Sequence, residues 1–252
     1  MAGIIYPANW KMICRQDLYI APDTHVIEMD TIGLNDTLLL ALRNSFNFKD
    51  AKTRAALAFS GGLDSSVLTV LAMEENLPFT AVTIACSDTH PDFAHAMLLH
   101  QQFNFQLKAL IIDPGQNPDD MYDLLFAEIA ELGFGFVVCG DTIDEQLGGY
   151  AQHQFTKESR VAVFRKYWNN LMPKHLVPLH RAAHANNIEV ALPYLAAARF
   201  IQTIPINHRA TDSDRKIILK RLAEKLGVPT EIITRPKFGL CNVLQTERVP
   251  PQ

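Results

Sequence analysis

The residues best suited to chemistry stand in one run, Ser60-Gly61-Gly62-Leu63-Asp64-Ser65-Ser66. Two adjacent glycines let backbone N–H groups turn inward and approach an anion closely. Ser60, Ser65 and Ser66 add hydroxyl donors. Asp64 conflicts with an anion site unless a cation is present. A Mg²⁺ ion bridging its carboxylate to phosphate oxygens removes the conflict. The run therefore reads as a phosphate loop with Asp64 as a metal carboxylate. Two other phosphate loops are excluded: the chain has no G-x-x-x-x-G-K-[ST], and no G-x-G-x-x-G follows the first predicted strand.

Such a loop needs a strand ahead of it and a helix behind it. Apolar runs at 55–59, 79–85, 107–112 and 136–139 read as strands, with helices predicted at 65–75, 92–102 and 119–132. This alternation implies right-handed β-α-β units and a parallel sheet. Strands that are continuously apolar imply helices on both faces. Ligands then bind beyond the carboxyl ends of the strands, where the phosphate loop falls, and the helix N-terminus behind it adds unpaired N–H groups. Upstream, Leu18-Tyr19-Ile20 and Val26-Ile27-Glu28-Met29 flank Ala21-Pro22-Asp23-Thr24 as a small β-hairpin. A helix then runs from Asn35 or Asp36 to about Asn47, with Leu38, Leu39, Leu42 and Phe46 as its apolar stripe. After Tyr150 the pattern is helical, broken by Pro173, Pro178, Pro193, Pro205 and Pro229; its clearest helix spans 214–226, stopped by Gly227. The expected fold class is α/β, with residues 1–50 as a hairpin-and-helix appendage to a main domain at 51–252.

S-G-G-x-D-S resembles the signature of the PP-loop ATP pyrophosphatase superfamily, whose members split ATP between the α- and β-phosphates. The resemblance implies a five-stranded-type parallel sheet and assigns Ser60 to Ser66 to ATP. Cys139-Gly140-Asp141-Thr142-Ile143-Asp144-Glu145-Gln146-Leu147-Gly148-Gly149-Tyr150 is similar to the S-G-x-G-x-D-E-x-F-G-G-Y segment of asparagine synthetase and β-lactam synthetase. Residues 180–195 resemble the synthetase stretch R-x-x-x-A-x-G-x-E-x-R-x-P-F-L-D, Lys216 to Lys220 its K-x-x-L-R, and Arg235-Pro236-Lys237 its R-x-K. The resemblance implies Asp144 as the second Mg²⁺ carboxylate and Gly140 as a point of close nucleotide approach. It further implies Lys216 and Glu189 as catalytic residues, and Arg235 and Lys237 as groups offsetting pyrophosphate or carboxylate charge. His180 and His184, one helical turn apart, lack a third ligand at convincing spacing and are read as surface residues.

Several positions depart from that pattern. Only 59 residues precede Ser60 and residue 2 is Ala2, so the glutaminase domain usual in asparagine synthetase is not expected. Thr142 replaces a glycine, Ala191 an arginine and Ala196 an aspartate. The nucleotide half of the site is thus better kept than the substrate half. The expected function is an ATP-dependent, AMP-forming carbon–nitrogen ligase that adenylates a carboxylate-type substrate for attack by ammonia or an amine. The alternatives are a nucleotide-binding accessory protein without turnover, or a PP-loop thiolation or nucleotide-modifying enzyme. ATP and Mg²⁺ are the expected cofactors. The expected partners are a small-molecule substrate and, optionally, a separate ammonia-supplying glutaminase and further copies of the chain in a homo-oligomer.

Composition narrows the rest. With 48% hydrophobic and 20% charged residues and a net charge of -4, the 252-residue chain has a globular make-up and no basic balance suited to nucleic acid. Cys14, Cys86, Cys139 and Cys241 form no C-x-x-C pair and read as free thiols in a reducing compartment. No leader or membrane span is evident, so a cytoplasmic location and no membrane partner are expected.

Overall fold

The computed structural model describes residues 27–47, 55–112, 121–156 and 158–236. Helix α1 (Ile27–Asn47) leads into strand β1 (Ala55–Ala58), followed by α2 (Leu63–Glu74), β2 (Phe79–Ala85), α3 (Pro91–Phe103), β3 (Leu107–Ile111), α4 (Met121–Glu131) and β4 (Phe136–Val138). A short α5 (Ile143–Leu147) precedes α6 (Arg160–Leu171), a π-helical turn at Met172–Leu176, and α7 (Val177–Ala185). The chain ends in β5 (Glu189–Ala191) and five helices: α8 (Pro193–Ala196), α9 (Ala198–Ile201), α10 (Ile206–Arg209), α11 (Ile217–Lys225) and α12 (Thr230–Thr234).

The five strands form one parallel sheet in the order β3-β2-β1-β4-β5. Alternate side chains of β1 enter opposite layers. Leu57 joins the core built with Leu38 and Leu42 of α1, Leu68 and Leu71 of α2, and Ile218 and Leu222 of α11. Ala56 joins the other core, with Phe126 and Ile129 of α4, Trp168 of α6 and Leu179 of α7. Burial on both faces is what the continuous apolar strands demanded. The sheet reverses direction of growth between β1 and β4, so their carboxyl ends frame a crevice at the switch point.

Three expectations are corrected. The second arm of the N-terminal hairpin is helical from Ile27 onward, and its first arm lies outside the described residues. Leu34, Leu38, Leu42 and Phe46 recur at the period of a helix and are buried, so one face of the 21-residue α1 is fixed by packing against α2, α8 and α11. Leu34, Leu38 and Leu42 of α1 share one core with Leu57 of β1. The helix expected at 214–226 begins only at Ile217, because Lys216 holds a left-handed backbone (φ 53). A strand, β5, stands in the region read as helical; at three residues it is too short to print a pattern.

Candidate active site

β1 delivers the chain to the loop. The Phe59 N–H still donates to the Val82 carbonyl at 2.8 Å, after which the backbone turns through Ser60–Gly62 into α2. Gly61 makes this turn possible. Its φ is +64, and a Cβ there would lie 2.5 Å from the Ala96 nitrogen and 2.6 Å from the Asp92 carbonyl oxygen of α3. The loop then ties itself together. The Ser60 N–H donates to Ser65 Oγ at 3.2 Å, the Gly62 N–H to Ser60 Oγ at 3.3 Å, and Ser65 Oγ to the Gly62 carbonyl at 3.2 Å. From outside, Arg235 Nη1 donates to the Gly61 carbonyl at 3.0 Å while Nη2 pairs with the buried Asp92 carboxylate. Arg235 therefore clamps the phosphate loop to the start of α3.

The second loop leaves β4 and enters α5. Gly148 (φ +82) ends that helix by returning its N–H to the Asp144 carbonyl at 3.0 Å. Gly149 leaves room for the Asp144 side chain: a Cβ at 149 would sit 1.7 Å from Asp144 Oδ1. Asp64, on the first turn of α2, faces Asp144 across the crevice. Lys216 joins them. Its Nζ lies 2.6 Å from both Oδ1 and Oδ2 of Asp64 and 2.6 Å from Asp144 Oδ1. Lys216 caps α11 from a left-handed backbone, with its N–H on the Leu147 carbonyl at 3.2 Å. A non-glycine residue held in that conformation is strained, and strain of this kind concentrates at functional sites. The side chains of Lys216, Asp64 and Asp144 keep 9%, 21% and 16% of their exposure; Lys216 and Asp64 line the crevice, and Asp144 Oδ1 is buried against Lys216.

Ser60, Gly62, Leu63, Asp64, Gly149, Arg215, Lys216, Lys220, Ile232, Ile233 and Arg235 line this cleft, whose empty volume is about 580 Å³, partly open to solvent. Four cationic side chains line the cleft and suit an anionic ligand, Lys220 also pairing with Asp214 and Arg235 with Asp92; Leu63, Ile232 and Ile233 add apolar surface. Two carboxylates converging on one cation position give an oxygen donor set of the kind Mg²⁺ takes. Among the described residues no group of three or more His, Cys, Asp or Glu side chains is placed to hold a metal. Further ligands would have to be water or phosphate oxygens.

Behind the cleft, under β4, lies a buried annex. Glu145 accepts from the Tyr150 hydroxyl at 2.5 Å and lies 3.5 Å from His175 Nε2 of the π turn. Asp141 accepts from the Tyr122 hydroxyl at 2.6 Å. Burial is the main cause that pushes the Glu145 carboxyl up, opposed by the Tyr150 hydrogen bond. Burial, reinforced by Asp141, likewise drives the Tyr122 phenol well above its ordinary value. His153 stacks among Tyr150, Phe164 and Tyr167, and burial lowers it to about 4, so its ring is neutral. Tyr194 links annex and cleft. Its hydroxyl donates to the Asp64 carbonyl at 2.8 Å, and its own carbonyl accepts from Gln146 Nε2 of α5 at 3.1 Å.

The structure thus brings Ser60, Gly62, Leu63, Asp64, Asp144, Lys216 and Arg235 to one cleft. Ser65 is buried within the loop, and Ser66 is fully buried, with no hydrogen bond from its hydroxyl among the described residues. Gly140 faces Asp64 and Ser65: a Cβ at 140 would lie 3.6 Å from the Asp64 Cβ, in ordinary van der Waals contact. Glu189 is the exception. It opens β5, paired with Phe136 at the amino end of β4, while the cleft lies beyond the carboxyl ends. Lys237 lies outside the described residues. His180 and His184 are exposed on α7, their rings 6.4 Å apart. Arg215, Lys220 and Tyr194 escaped the sequence reading; Lys220, one turn beyond Lys216, carried the one available signal.

The asparagine synthase family profile matches the chain in two overlapping segments, residues 40–167 and 158–249. The chain belongs to the asparagine synthase family. Both matched segments enter the cleft, the first with Asp64 and Gly149, the second with Lys216 and Arg235. Membership in the asparagine synthase family carries ATP-dependent chemistry of the adenylating, amide-forming kind as a class. No curated protein sequence matches the chain. Among solved structures, NMN synthetase from Francisella tularensis is similar at a TM-score of 0.48 and 17% identity, over 89% of this chain and 79% of that one. No helix among the described residues is long and apolar enough to cross a membrane.

Proposed function

We propose that this chain is an AMP-forming, ATP-dependent carbon–nitrogen ligase that adenylates a carboxylate-type substrate for attack by ammonia or an amine. The observation that carries the reading is the meeting of Asp64, Asp144 and Lys216 at the carboxyl ends of β1 and β4. The N-terminus of α2 and the loop N–H groups would receive the phosphates. Arg215 and Lys220 would balance their charge, while Arg235 holds the loop in shape. Asp64 and Asp144 would hold Mg²⁺, which when bound supplies Lewis-acid charge to the phosphate oxygens. Lys216 would stabilise the negative charge that builds on the α-phosphate as the substrate oxygen attacks and pyrophosphate departs. Ala191 and Ala196 stand where the resemblance expects Arg and Asp, which favours an acid other than aspartate. Ammonia would come free in solution or from a separate glutaminase.

The test is product analysis. The protein is incubated with Mg²⁺, α-labelled ATP, ammonium and a panel of carboxylic acids. Labelled AMP together with pyrophosphate is expected with at least one acid. ADP and phosphate would contradict cleavage between the α- and β-phosphates. Tight ATP binding with no product across a broad panel would replace the ligase with a nucleotide-binding accessory protein.

A further inference from the structure

The Lys216 ammonium does not merely border the two carboxylates; it occupies the position between them. Nζ is 2.6 Å from both oxygens of Asp64 and 2.6 Å from Asp144 Oδ1. A divalent ion bridging Asp64 and Asp144 would bond the same oxygens at about 2.0–2.1 Å. Both cations cannot share these oxygens without close like-charge contact in a partly buried site. No third His, Cys, Asp or Glu joins the two carboxylates among the described residues, so Lys216 competes directly with any metal for them.

Charge balance points the same way. Asp64 and Asp144 contribute two negative charges; Lys216 and Arg215 offset them, and Lys220 is paired with Asp214. A bare divalent ion adds positive charge to a set of side chains whose charges already balance. A metal–nucleotide complex brings phosphate oxygens with it. Those oxygens complete the metal's ligand set and give the ammonium a new partner. Lys216 can answer without a change of fold, because its backbone is fixed by the Leu147 carbonyl and by capping α11 while its ammonium faces the cleft.

We infer that Lys216 is an internal counter-ion that exchanges with the metal: the nucleotide-free protein excludes divalent cations, metal and nucleoside triphosphate enter together, and the exchange moves the ammonium from the carboxylates onto the phosphates. This inference rests on the reading of Asp64 and Asp144 as metal carboxylates. It adds an order of binding and names the metal–nucleotide complex as the species recognised.

The experiment is Mn²⁺ binding to the full chain, read from the spectroscopic signal of free Mn²⁺, with and without a non-cleavable α,β-methylene ATP analogue. Without nucleotide, Lys216→Met is expected to bind Mn²⁺ about a hundredfold more tightly than wild type, within the usual range of coupling between sites. Adding Asp144→Asn to Lys216→Met should remove the gain, and Lys216→Arg, which keeps a cation, should stay as silent as wild type. Should Lys216→Met fold poorly, wild type alone decides: its melting temperature should stay flat in millimolar Mg²⁺ and rise only when the analogue is present. Nucleotide-free wild type binding Mn²⁺ as tightly as Lys216→Met would overturn the exchange while leaving the metal carboxylates standing. Failure of every variant to bind Mn²⁺ beyond the analogue's own affinity would overturn the carboxylate assignment, and the exchange with it.

Discussion

The cleft and the annex behind it are built from the same ingredients and do opposite things with them. In the cleft, Asp64 and Asp144 face a lysine ammonium and remain partly open to solvent. In the annex, Glu145 and Asp141 face phenols, and Glu145 is closed to solvent. A carboxylate paired with a cation keeps its charge and can exchange that cation for another. Burial pushes the Glu145 carboxyl toward its neutral form against the opposing hydrogen bond from Tyr150. The contrast separates a region made to receive charged ligands from one that fixes the shape of the loop carrying Asp144. Asp144 and Glu145 are adjacent residues, so α5 divides the two environments within a single turn.

The comparison breaks most visibly in turnover. Asp64→Asn or Asp144→Asn is expected to lower Mg²⁺-dependent AMP formation by about 10³-fold, comparable to removing a principal transition-state stabiliser, while circular dichroism stays native. Normal turnover in both variants would remove the cleft from the account.

The annex should show itself in stability instead. His153 is neutral in the fold and titrates at about 4, against an ordinary value of 6.5. Between those values the unfolded chain binds a proton that the folded chain does not. The stability is therefore present above about 6.5 and lost as pH falls to about 4, by on the order of 3 kcal/mol. Glu145, raised by burial, acts in the opposite sense over part of that window. The difference between wild type and His153→Phe in denaturant titrations across pH isolates the histidine. Equal slopes in the two proteins would deny it a charged penalty.

Tyr194→Phe tests the link between the regions. It removes the hydroxyl donor from the half-buried Asp64 carbonyl and should cost about 1 kcal/mol of stability, measured by urea unfolding, with a severalfold loss of turnover as Asp64 shifts. The smallest effect is expected at Glu189. Glu189→Gln, at the far end of the sheet from the cleft, should keep turnover within about twofold, the range of surface substitutions remote from a site. A large loss there would restore it as a catalytic residue.

How much of this the sequence disclosed follows the same division. The phosphate loop is local: two glycines, hydroxyls and Asp64 fall within seven residues, so their joint use shows in the order of the residues. Four strands were legible because burial on both faces makes each a continuous apolar run. Asp144 and Lys216 were named only through the resemblance, since nothing in linear spacing brings residues 64, 144 and 216 together. The annex was invisible. Tyr122 and Asp141, or Glu145 and His175, meet only because α4, the π turn and α5 pack under β4. Glu189 shows a related limit of linear reading. The sequence shows a carboxylate near a motif, but only the register of β5 against β4 tells which end of the sheet it occupies.

The most direct test is a crystal structure with the α,β-methylene ATP analogue and Mg²⁺. The account predicts the triphosphate on the Ser60–Ser65 loop, Mg²⁺ bridging Asp64 and Asp144 to phosphate oxygens, and the Lys216 ammonium displaced onto the phosphates. A nucleotide bound elsewhere, or one bound here with Lys216 still between the two carboxylates and Mg²⁺ on phosphate oxygens alone, would contradict it.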